Sequence, residues 1–194
     1  MPKVTDAYRE ARRDEIARAA MRRLSIQGFS GTSMADIIEE SGMSAGAIYS
    51  HFRSKAEIAQ HVARLAVGTR AEELVASARA ADPPWGPAQI ISFVLEATAQ
   101  VGIRRTLLLQ VWAEATVDPE LRVVLDETVG RLRTAYADAI EPWLQAQGQA
   151  VAPESLRAVV DTMVALSQGF VVNSALFGGD DPKAYLDGVA ELLG

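Results

Sequence analysis

Apolar residues recur along this chain at helical spacing. Ile16, Ala20 and Leu24 stand four apart and Gln27 continues their stripe, while Arg12, Arg18 and Arg22 lie off it. Leu121, Leu125, Thr128/Val129, Leu132, Tyr136, Ile140 and Trp143 predict one long amphipathic helix over about 119–146. Asp118 before Pro119 supplies a cap and a good first helical residue, and Asp181-Pro182 repeats that signal before a last short helix at about 182–193. Residues 154–177 are apolar in almost every direction, so that helix must be covered on more than one side. Either its own neighbours wrap it or one face meets a partner subunit. The rest of the body offers few helices to cover it, which favours the partner. Glycines, prolines and Asp-Pro pairs punctuate the segments, none of which alternates like a strand, and no repeat of 20–50 residues is present. The expectation is an all-α fold of about nine helices.

The most informative stretch runs from Gly28 to Lys55. Thr32 or Ser33 caps a short helix with Asp36 in its first turn and Met34, Ile37 and Ile38 turned inward. It stops at Ser41-Gly42, where glycine can turn left-handed; Ser44 caps the next helix, and Ser54 the one after. Two short helices across a glycine-bearing turn make a helix-turn-helix. In the second, Ile48 and Phe52 anchor the core side. Ser44, Ala45, Gly46, Ala47, Tyr49, Ser50 and His51 leave a small, hydrogen-bonding surface without acidic groups, suited to base edges in a major groove. Backbone N–H groups at Thr32 and Ser33, and the Lys55 ammonium, are expected at phosphates flanking that groove.

Charge sharpens this picture. The net charge of −6 divides into ten basic against eight acidic residues over 1–64 (+2) and nine against seventeen over 65–194 (−8). A phosphate-facing surface therefore belongs to the N-terminal end. The absence of cysteine removes disulfides, thiolate zinc sites and cysteine nucleophiles. The polar start carries no secretory segment, and charged or amide side chains interrupt each apolar run, so a cytoplasmic protein without a membrane span is expected. His51 and His61 lack partners at a metal-ligand spacing, and His61 is expected in solvent or at the joint of head and body. No phosphate-cradling loop or nucleophile elbow occurs. The reading is therefore not an enzyme, with no metal and no cofactor.

The string Gly28-Phe29-x-Gly31-Thr32-Ser33-Met34-x-x-Ile37, followed by Ser41-Gly42-Met43-Ser44-Ala45-Gly46-Ala47-Ile48-Tyr49-Ser50-His51-Phe52-x-Ser54-Lys55-x-Glu57-Ile58, resembles the N-terminal domain of the tetracycline-repressor (TetR) family almost position by position. Arg12 to Ile16 with Ala19-Ala20 is similar to that family's first helix, although Arg23 stands where an apolar residue is commoner and Leu24 where Phe often stands. The resemblance implies a homodimer that places one helix per subunit in a major groove. It also implies a body with a small-molecule pocket whose occupancy changes DNA affinity, most often in a repressor.

The expected organisation is a helix-turn-helix domain over 1–55, a linking helix over about 55–80, and an effector-binding and dimerisation domain over 56–194. Phe93, Trp112, Tyr136, Trp143, Met163 and Phe170 are candidates to line a mostly apolar effector pocket, with Gln110 and Glu114 as its polar handles. Val160, Val164, Ser167, Val171 and Ser174, with Tyr185 and Val189 of the last helix, are candidates for a dimer interface built as a four-helix bundle. Two rivals stand beside the ligand-responsive regulator: a DNA-binding dimer without a pocket, and a helical protein–protein adaptor.

Overall fold

A computed structural model describes residues 6–100, 103–148, 152–179 and 181–193. Nine helices and no strand occur among them: α1 Asp6–Gly31, α2 Met34–Ser41, α3 Ala45–His51, α4 Lys55–Ala80, α5 Pro87–Gln100, α6 Arg105–Glu114, α7 Pro119–Ala146, α8 Pro153–Phe177 and α9 Lys183–Leu193. The chain forms two compact units. The first holds the chain up to Leu65 together with Gln110–Leu125; the second holds Ala66–Leu109 and the chain from Asp126. This differs from the expected boundary at 55/56. No breaker interrupts α4 near its start, and its first turns bury Ala56, Ile58 and His61.

In the first unit Ile16, Leu24, Phe29, Ile37, Ile48, Phe52 and Ile58 form a core exposed by at most 5 %. Full burial of such side chains contributes about 1.5–3 kcal/mol each. That matters for α2 and α3, which at eight and seven residues are too short to be stable alone. Leu24 fills the first-helix core position, and Arg23 instead reaches Glu39 at 3.0 Å and Glu40 at 3.1 Å on α2. Gly28, at φ 76° and ψ 173°, breaks the helical path of α1 and turns Phe29 inward. Only glycine reaches that region without substantial strain.

In the second unit α5 lies against α8 and α9. Ile90 and Ile91 of α5, Tyr136 and Ile140 of α7, and Met163 of α8 are fully buried. Tyr136 Oη meets Ser167 Oγ at 2.7 Å, and Ser167 Oγ also lies 2.9 Å from the Met163 carbonyl, so the polar pair is satisfied inside the core. α8 is long and apolar enough to cross a membrane by length and composition, contrary to the expectation that no such run exists. One face of it, Val160, Met163, Val164, Ser167, Phe170 and Val171, is buried in the core of this unit.

That face corrects the expected dimer surface. Val160, Val164, Ser167, Val171 and Val189 are 3–5 % exposed in the single chain and have almost no surface left for a partner. Ser174 and Tyr185 are half-buried, and the Tyr185 hydroxyl donates to the Leu166 carbonyl. The uncovered stripe of α8 is instead Ala158, Thr162, Ala165, Asn173 and Leu176; Phe177 is 81 % exposed, and Leu192 on α9 is 82 % exposed.

Candidate nucleic-acid interface

Local capping fixes the helix-turn-helix. Ser33 Oγ accepts from the Asp36 N–H at 3.2 Å, and Asp36 Oδ2 accepts from the Ser33 N–H at 2.7 Å. The Ser33 hydroxyl, which donates to Asp36 Oδ2 at 2.6 Å, and then the Ser33 N–H hold the Asp36 carboxyl below its ordinary value. Gly42, at φ 67°, ends α2 with its N–H on the Glu39 carbonyl. Ser44 Oγ accepts from the Ala47 N–H at 3.3 Å and starts α3, and Phe52 closes it with its N–H on the Ile48 carbonyl. Only Ile48 of α3 is fully buried. Ser44, Ala45, Gly46, Tyr49 and Ser50 are exposed, Tyr49 by 51 %, while Ala47 and His51 are half-buried. Ser50 Oγ donates to the Ala47 carbonyl within the helix.

The residues expected at the flanking phosphates are placed differently. Thr32 is 2 % exposed, its hydroxyl donates to the Gly28 carbonyl and its N–H to the Phe29 carbonyl. Neither donor is free. The Ser33 N–H is used by Asp36, although the side chain is exposed. Lys55 Nζ donates to the carbonyls of Phe29 at 2.5 Å and Thr32 at 2.8 Å and lies 4.2 Å from the centre of the Phe29 ring. Desolvation holds this ammonium below its ordinary pKa. Its visible work is to close the carbonyls exposed where α1 breaks.

Basic groups that the sequence reading did not assign gather at the C-terminal end of α3. Arg13 donates to the His51 carbonyl at 2.6 Å, with its guanidinium 4.1 Å from the centre of the Phe52 ring. Burial first, then the charges of Arg13, Arg12 and Arg9, depress the pKa of His51. The available signal was their spacing on α1, where i, i+3 and i+4 share a face. His61 also departs from expectation. It is 2 % exposed, with Nε2 2.8 Å from Asp14 Oδ1 and its ring edge-on to Phe52 at 5.5 Å. With Glu10, it and Asp14 group three possible ligand atoms within 4.8 Å, a trio the sequence spacing did not reveal. The His61 nitrogen facing Asp14 is already taken by that contact.

Residues 16–62 match the family described as bacterial regulatory proteins, tetR family, and residues 88–193 match the domain described as BetI-type transcriptional repressor, C-terminal. The chain belongs to the TetR family. It is a transcriptional regulator and not an enzyme. Among relatives of this TetR-family regulator, the HTH-type transcriptional regulator YfiR of Bacillus subtilis (strain 168) is 27 % identical, over 98 % of this chain and 92 % of its own length. The HTH-type transcriptional regulator AcrR of Shigella flexneri is 31 % identical over 64 % of this chain and 59 % of its own. In fold, the chain resembles GusR of Salmonella enterica at a TM-score of 0.69 and 21 % identity, covering 98 % of this chain and 96 % of that one. A putative TetR-family regulator from Rhodococcus sp. gives a TM-score of 0.72 at 22 % identity, covering 94 % and 97 %.

In this TetR-family regulator the eight expected pocket residues are spread over both units. Gln110, Trp112 and Glu114 belong to the first, where Gln110 Oε1 accepts from the Phe29 N–H at 3.0 Å and Glu114 Oε2 accepts from Ser30 Oγ at 2.7 Å. Both handles thus serve the helix-turn-helix unit. Tyr136, Met163 and Phe170 are exposed by at most 3 % in the core of the second, and Phe93 is half-buried with its ring 5.9 Å from Trp85. Trp143 alone of the eight lines either of two cavities in the second unit. One, of about 330 Å³, is bounded by Pro83, Pro84, Gly86, Pro87, Trp143 and Val189. The other, a more open groove of about 650 Å³, runs along Val75 and Arg79 of α4 and Arg131, Thr134 and Asp138 of α7.

Proposed function

We propose that this regulator is a homodimeric repressor that reads operator DNA with α3 and is released by a small, mostly apolar effector. The observation that carries the reading is the unengaged face of α3. Ser44, Ala45, Gly46 and Tyr49 are exposed, free of acidic groups, and held on a buried Ile48–Phe52 anchor. Such a surface can approach base edges, with Ala methyls available to thymine methyls. The exposed Arg9 and Arg53 supply positive charge for phosphates, in place of Lys55 and Thr32. Repression as the sign of control is supported by the repressor domain matched over residues 88–193. Dimerisation is supported by the exposed apolar side chains of Leu176 and Phe177 on α8 and Leu192 on α9. The cavity at Trp143 is the favoured effector seat, since it is the more enclosed of the two and has an expected pocket residue in its wall, and its volume falls within the roughly 300–1,000 Å³ range of small-molecule pockets.

Selection of bound duplexes from a random library supplies the operator, and light scattering gives the subunit number. A screen of apolar compounds then follows Trp fluorescence and operator retention together. The reading expects a preferred sequence, two subunits per duplex, and at least one compound that changes both signals. A library without a preferred sequence refutes DNA reading by α3, and a monomer bound to operator refutes the dimer. Operator binding that no compound alters favours the second reading, a dimer without a pocket, which the filled core at Tyr136, Met163 and Phe170 supports.

A further inference from the structure

We infer that Gln110 and Glu114 of α6 are positioning residues for the DNA-reading unit, holding the broken end of α1 so that α2 and α3 are presented in one orientation. The inference rests on the proposed reading of DNA by α3. It begins at Gly28, where the positive φ ends the regular ladder of α1 and leaves the following N–H without its helical acceptor. Gln110 Oε1 takes that place, accepting from the Phe29 N–H at 3.0 Å, and it occupies the space a Cβ at residue 28 would need. One turn on, Glu114 accepts from Ser30 Oγ at 2.7 Å. Residues four apart on a helix face the same way, so the last turn of α6 presents two acceptors in register with two successive donors beyond the break. Lys55 and Thr32 satisfy the carbonyls of the same corner.

This corner is the sole covalent route from α1 to α2. A corner held by Gln110 and Glu114 of α6, by Lys55 of α4 and by its own Thr32 gives α3 a fixed attitude, whereas a loosened one lets it sample many. Docking on base edges needs that attitude, and charge-driven adherence to any duplex does not.

The experiment compares wild type with Gln110→Met, which keeps the size and removes the acceptor, and Gln110→Glu, which keeps the acceptor. Each is titrated against the duplex recovered by selection and against a random-sequence duplex of equal length, with circular dichroism and light scattering as controls of fold and assembly. Gln110→Met is expected to bind the selected duplex about tenfold more weakly, as for one lost hydrogen bond, with random-duplex affinity unchanged. Gln110→Glu is expected to restore most of the ratio. A purely structural role would lower the melting temperature and leave the ratio of the two affinities alone. Should Gln110→Met not fold, Ser30→Ala, which removes the exposed second contact, decides the matter through the same ratio, expected to fall severalfold. A wild-type ratio in the folded variants overturns the inference while leaving α3 as the reading helix; failure of wild type to select any sequence overturns α3 itself.

Discussion

Gly28→Ala tests the corner where α1 gives way to α2. The backbone there stands at φ 76° and ψ 173°, and placing an L residue in that region costs about 1–3 kcal/mol. The new Cβ would also overlap Gln110 Oε1, so Gln110 must withdraw from the Phe29 N–H, a loss of about 1 kcal/mol for a part-buried donor. The expected destabilisation is about 2–4 kcal/mol by equilibrium urea unfolding followed by far-UV circular dichroism. A double-mutant cycle separates the two contributions. In a Gln110→Ala background the overlap is gone, and Gly28→Ala should cost only the backbone part, about 1 kcal/mol less than in wild type. Gly46→Ala is the control: nothing obstructs a Cβ there and the residue is helical, so stability should rise by about 0.5–1 kcal/mol. A Gly28→Ala protein within about 0.5 kcal/mol of wild type would refute the strain argument. Equal costs in the two backgrounds would refute the overlap.

Lys55→Met should lower stability by about 2 kcal/mol, through two unanswered carbonyls and a lost ring contact. The salt dependence of operator binding should stay unchanged; a slope lower by about one charge would return Lys55 to the phosphates. His51 has a pKa below its ordinary 6.5 in the folded chain, so the unfolded chain binds more protons between those two values. Its contribution to stability is therefore present above pH 6.5 and lost as pH falls through that window, and urea titrations of His51→Gln should show a shallower slope there. Tyr136→Phe should cost about 1 kcal/mol in the same assay, because Ser167 keeps its bond to the Met163 carbonyl; burial also pushes the Tyr136 phenol above its ordinary range, so near-ultraviolet titration should show it ionising only on unfolding. A phenol that titrates normally in the folded protein would contradict its burial.

The legible parts of this chain are those governed by local chemistry. Asp118-Pro119, Ser33 with Asp36, Ser44 and Gly42 act on their own neighbours, and the helix starts and stops they predict are the observed ones. The anchoring of α3 by Ile48 and Phe52 was equally readable, since residues four apart must share a face. Thr32 and Lys55 were not. Their polar groups suit a phosphate or a carbonyl equally well, and the decision lies in the break at Gly28, whose φ no residue pattern states. For α8 the difficulty was of another kind. A helix apolar on all sides carries no sign of which half turns inward, and only the packing of the folded unit puts Val160, Val164 and Val171 in the core. Gln110 and Glu114 show the limit again: their spacing gave the shared face correctly, but not what that face would meet.

The separation of labour within α3 bears on how such a regulator changes over generations. Ile48, with Phe52 just beyond the helix, ties the segment to the rest of the unit, while Ala45, Gly46, Tyr49 and Ser50 make few demands on the interior. Substitutions at exposed positions of this sort usually shift stability by no more than about 0.5 kcal/mol. On the proposed reading of DNA by α3, mutations there are filtered mainly by which DNA they favour, so operator preference can drift, and duplicated copies can diverge to new promoters, without passing through unfolded intermediates. The residues that would reveal a change of target are the ones selection for folding leaves most free to vary.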